Sequence, residues 1–129
     1  EMSPPKLQGY ARETVIAVKF QAMVALGHAN TRLKDYYDIW ILSQSFTFED
    51  GRLPKAIAAT FSRRETEIPA ETPDGLTAAF GEDPAKQGQW EAFARDVSID
   101  PGPLSKVIED LARFLMPAAA HAAEIAAAT

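Results

Sequence analysis

Lys19, Asp35 and Asp38 are the residues of this chain whose types and spacing could do chemistry together. Lys19 interrupts a run, residues 14–26 (TVIAVKFQAMVAL), that is otherwise apolar apart from Thr14 and Gln21. An ammonium in such a run must reach water or find a carboxylate, because burying it unpaired is costly. Asp35 and Asp38 stand at i, i+3, a spacing that puts both side chains on one face of a helix. A lysine facing two carboxylates could bind an anionic phosphate while an aspartate orients it or handles a proton. The same trio could instead be a salt bridge that only fixes the register of two helices, and residue types alone leave both readings open. Arg32 and Lys34 flank the acids with further positive charge.

The elements around these residues decide whether they can meet. A helix is expected from Arg12 to about Gly27, after an extended lead-in over 1–9 that holds Pro4, Pro5 and Gly9. Asn30 or Thr31 can cap a second helix running to about Ser45. Helices joined by so short a turn form an antiparallel αα-hairpin, the segment 12–45. Because both rise ~1.5 Å per residue, equal counts from the turn mean equal height, and Lys19 falls level with residues 35–38.

Beyond the hairpin, Leu53, Ile57 and Phe61 give a helical stripe over about 50–63, provided that Pro54 falls in its first turn. Residues 64–83, with Pro69, Pro73, Gly75 and Gly81, read as a long loop pinned by Leu76 and Phe80, with room for a short helix. Asp83-Pro84 opens a further helix carrying Trp90, Phe93, Ala94 and Val97. A last helix opens at Asp100-Pro101 or Gly102-Pro103, and Leu104, Val107, Ile108, Leu111 and Leu115 keep its period. Pro117 should kink or end it, which leaves 118–129 as an alanine-rich tail with little to bury. No alternating strand pattern occurs, so the expected fold is all-α: one helical domain, 1–129, of about five helices around the N-terminal hairpin.

Composition bounds the function classes. A chain of 129 residues with 47% hydrophobic and 24% charged residues is ordinary for one packed domain. The 18 acidic residues outnumber the 13 Lys and Arg, a balance that argues against a chain built mainly to grip nucleic-acid phosphate. The absence of cysteine removes disulfides, thiol catalysis and cysteine zinc sites. Histidines occur only at 28, at the hairpin turn, and at 121, where Glu124 shares a face but makes no metal site. Arg63-Arg64 suit a helix C-terminus, or a modest basic patch with Arg32 and Lys34. Trp40 and Trp90 read as core rather than base-stacking platforms. No apolar run spans a bilayer and no signal peptide opens the chain, which together fit the cytoplasm. A first residue other than Met suggests a fragment or trimmed product.

Residues 10–42, YARETVIAVKFQAMVALGHANTRLKDYYDIWIL, together with LPKAIAATFSRRETEIP at 53–69, resemble the C-terminal part of the AbiEii/AbiGii-type nucleotidyltransferase toxin family. The ETVIA-x-K and R-x-KD-x-YD-I runs carry the resemblance. It implies a bacterial, cytoplasmic protein, often the toxin of a toxin–antitoxin or phage-defence pair. Such a toxin transfers a nucleotide from NTP with magnesium, in some relatives onto tRNA. Lys19 matches the family lysine at the nucleotide phosphates, with Arg32 and Lys34 beside it. Asp35 matches the second-half catalytic acid, and Asp38 the acid that follows. The family's metal carboxylates form a D-x-D pair on an N-terminal α/β half. No D-x-D occurs here, so the expectation is no metal site and no cofactor held by this chain alone, and no transferase activity from it. Val18 stands where the family pattern has glutamate before the lysine. A helical interaction module, binding a cognate antitoxin or the missing half or self-associating, is the alternative.

Overall fold

The computed structural model describes residues 5–128. Among them are six α-helices and no strand: α1 (Pro5–Leu26), α2 (Leu33–Ser45), α3 (Arg52–Arg63), α4 (Ala78–Glu82), α5 (Pro84–Ala94) and α6 (Leu104–Ala128). Short 3-10 turns at Gly27–Ala29 and Asp74–Leu76 complete the order. The all-α expectation holds.

Periodicity explains why these helices pack. Ile16, Phe20 and Met23 of α1, Tyr36 and Ile39 of α2, and Ile57 and Phe61 of α3 are fully buried. They recur at the three- and four-residue spacing that lines one helix face. α6 carries a long stripe of the same kind, with Leu104, Val107, Ile108, Leu111, Leu115, Ala119 and Ala122 all buried. α3 lies between α1 and α6 and is the main neighbour of each, so the α1/α2 hairpin is held mostly through third parties.

Three expectations need correction. The lead-in was expected to be extended through Gly9, yet α1 begins at Pro5. Proline suits a first helical turn, where its missing N–H has no partner to lose, and a single Gly9 costs only ~1 kcal/mol. Residues 1–4 lie outside the described residues. The last helix does not end at Pro117, which sits inside α6. The alanine tail is not idle either, since Ala119 and Ala122 are fully buried. Small side chains let α6 approach α3 closely, and that burial offsets the one backbone bond that Pro117 cannot make.

Residues 64–83 fold as a pinned connector. Leu76 and Phe80 are buried as expected, and the segment contains the 3-10 turn and α4. Thr77 Oγ1 accepts from the Phe80 N–H at 3.4 Å, and Asp83 Oδ1 accepts from the Ala85 N–H at 2.8 Å, capping α4 and α5.

Candidate functional site

α1 and α2 bring all five sequence-derived residues into one cluster. Lys19 Nζ donates to Asp35 Oδ1 at 2.8 Å and lies 3.2 Å from Asp38 Oδ2. Arg32 Nε stands 3.1 Å from Asp35 Oδ2, and Lys34 Nζ donates to Asp38 Oδ2 at 2.8 Å. The height match across the turn produces the first pair; helix spacing within α2 produces the others.

Depth differs sharply within the cluster. The Asp35 side chain is 7% exposed and Lys19 22%, whereas Arg32 and Lys34 stand largely in water. Asp35 Oδ2 is buried and receives no aligned hydrogen bond, because Arg32 meets it by charge proximity rather than along a donor axis. Burial pulls the Lys19 ammonium down, but its hydrogen bonds to Asp35 and Asp38 outweigh this and hold it above its ordinary 10.5. Three cations against two carboxylates leave one net positive charge at the surface, which suits an anion.

The same residues do not suit magnesium. That ion needs an octahedron of free oxygen ligands, while here both carboxylates are already engaged by cations. Among the described residues no group of three His, Cys, Asp or Glu could hold a metal. His121 and Glu124 belong to no such group.

Other residues singled out by sequence take ordinary places. Trp90 is 1% exposed and donates to the Gly102 carbonyl at 2.9 Å. Trp40 is half-buried, with its indole N–H 3.3 Å from Asp110 Oδ2. Arg64 donates to Gln21 at 3.2 Å and Arg63 to Thr60, so neither extends the cationic rim by its contacts.

The turn that sets the site was only partly legible. Neither Asn30 nor Thr31 caps α2: the N-cap is Arg32, with no side-chain cap hydrogen bond. Asn30 Oδ1 instead accepts from the Arg32 N–H at 2.7 Å, closing an Asx turn just ahead of the helix. His28 pairs with Asp83 Oδ2 at 2.8 Å, and Tyr36 Oη donates to the Gly75 carbonyl at 2.9 Å. The Asp83-Pro84 helix start was readable; its partner 55 residues away was not.

Among the described residues no helix is long and apolar enough to cross a membrane. No curated protein and no solved structure matches the chain. The family model described as nucleotidyl transferase AbiEii toxin, type IV TA system, matches residues 1–122, nearly the whole length. With the lysine–aspartate cluster in place on its helices, the chain belongs to the AbiEii nucleotidyl transferase toxin family.

Proposed function

We propose that the chain is the helical part of an AbiEii-type nucleotidyltransferase, facing the phosphates of an NTP. The metal-holding carboxylates would come from an α/β part whose D-x-D pattern this sequence does not contain. The observation that carries this reading is the convergence of Lys19, Asp35 and Asp38 across α1 and α2, on the motifs that mark the family. Arg32 and Lys34 meet the incoming anion first, being exposed, and Lys19 fixes it near Asp35. Asp35, buried beneath the ammonium, orients Lys19 toward the phosphate through Oδ1. Magnesium supplies charge neutralisation on the phosphates when the whole site is assembled. The setting is a bacterial cytoplasm, as the toxin side of a toxin–antitoxin pair that guards against phage.

The test is a transfer assay on the purified chain with magnesium and labelled NTP. No transfer is expected from the chain alone. Adding a separately made α/β half from a family member should restore transfer, and Lys19→Ala or Asp35→Asn should abolish it with folding intact. Transfer by the unaided chain would overturn the reading.

A second reading, an interaction module that binds an antitoxin or self-associates, draws on one observation. Val15 and Leu26 are exposed at 37% and 44%. Their spacing of eleven residues, about three turns, puts them on the same side of α1. Sedimentation separates the two, since a strict monomer that binds no antitoxin counts against this module.

A further inference from the structure

Lys86 is the buried cation that the site does not visibly use. It lies on α5, is 7% exposed, and its ammonium sits 5.3 Å from the centre of the Phe80 ring. Among the described residues no carboxylate pairs with it; its hydrogen bond goes to the Asn30 backbone carbonyl, at 2.6 Å. A buried ammonium without a counter-charge gains no ion-pair energy to offset its desolvation. What it holds is therefore the more informative fact.

Asn30 is 1% exposed and ends the 3-10 turn between α1 and α2. Its Oδ1 accepts from the Arg32 N–H at 2.7 Å, and the Arg32 carbonyl accepts from the Asp35 N–H at 3.0 Å. Arg32 Nε then meets Asp35 Oδ2 at 3.1 Å, and Asp35 Oδ1 accepts from Lys19 at 2.8 Å. An unbroken series of polar contacts thus runs from Lys86 to Lys19. Residues 30–32 have non-helical backbone, so the grip on the Asn30 carbonyl fixes where α2 begins and how Asp35 is presented. The start of α5 holds the turn a second time, because Asp83 both caps Lys86's own helix and binds His28.

We infer that Lys86 is a positioning residue for the Lys19–Asp35 site, acting through Asn30 and Arg32. The inference rests on the reading of that cluster as a nucleotide site. A lysine kept only for packing would behave differently from one kept for geometry. Lys86→Met preserves the stem and removes the ammonium; the fold should persist, with a modestly lower thermal midpoint because the buried Asn30 carbonyl loses its donor. The site should nonetheless loosen.

The experiment reads the Lys19 ammonium directly by nitrogen-15 NMR of the full chain near neutral pH, where only well-bonded ammonium protons exchange slowly enough to be seen. In K86M the Lys19 signal should weaken several-fold while the core amides stay put. Asn30→Ala keeps the carbonyl for Lys86 but cuts the link to Arg32. It should weaken the signal similarly, and it carries the test if K86M does not fold. A Lys19 signal untouched in both variants overturns the proposal. Because no nucleotide is present, this outcome is independent of the functional reading. Loss of transfer on Lys19→Ala, with the restored assay, decides that reading separately.

Discussion

Lys19 Nζ lies 2.8 Å from Asp35 Oδ1 although 16 positions separate the residues, and the carboxylate, not the ammonium, is the deeper partner. Removing the base should therefore hurt at least as much as removing the acid's charge, because it leaves a buried carboxylate short of its cation, whereas the ammonium freed by Asp35→Asn still faces Asp38. Asp35→Asn is expected to cost about 1–3 kcal/mol, the range for a charged hydrogen bond broken in a buried setting. A double-mutant cycle with Lys19→Met, read by urea unfolding, should return a coupling energy above zero. Strict additivity would mean that the pair contributes nothing to the fold.

How much of this cluster could be read in advance follows from what each contact depends on. Lys19, Asp35 and Asp38 were legible because equal rise per residue fixes height across a hairpin, whatever else the chain does. Arg32 and Lys34 needed only helix spacing. Asn30, Lys86 and Gly75 were not legible as neighbours of the site, because their contacts span 39 to 56 residues and depend on the route of the connector 64–83. The tail was misjudged for a related reason. Alanine signals helix readily, but whether Ala119 and Ala122 are buried depends on α3 lying alongside, which no local pattern encodes.

Ala119 gives the sharpest test of that last point. It is fully buried on α6 beyond Pro117. Ala119→Leu inserts volume where helices approach closely and should cost about 1–3 kcal/mol by overpacking. The same change at exposed Ala120 should be nearly silent. Equal thermal midpoints for the two variants would show that the end of α6 does not pack.

Gly75 faces the Tyr36 hydroxyl so closely that a Cβ there would lie 2.7 Å from it. Tyr36 cannot yield easily, because its ring stacks on Phe80 with centroids 5.2 Å apart and its hydroxyl is hydrogen-bonded to Gly75 itself. Gly75→Ala should therefore destabilise the chain by about 1–3 kcal/mol, the usual range for forced overpacking. Tyr36→Phe removes the hydroxyl and should relieve much of that clash, so the double variant should be less destabilised than the sum of the two. Simple additivity in thermal unfolding would contradict the contact.

The alkaline limb of stability should report Lys19 and Tyr36 together. Hydrogen bonds to Asp35 and Asp38 raise Lys19 above 10.5 against the pull of burial. Burial also raises Tyr36 above its ordinary 10.0, with the Asp35 charge adding to it and Asn30 opposing it. For both groups the folded chain holds its proton more tightly than the unfolded one. Their contribution is complete below the unfolded values and fades as pH climbs through 10 toward the folded values. Wild-type stability should thus fall between pH 10 and 11 more steeply than that of Lys19→Met or Tyr36→Phe, each variant removing one share of the slope. Urea unfolding at closely spaced pH values checks it. A wild-type profile that stays flat through this window, or a slope that both single variants retain in full, would show that neither proton is held more tightly in the folded chain.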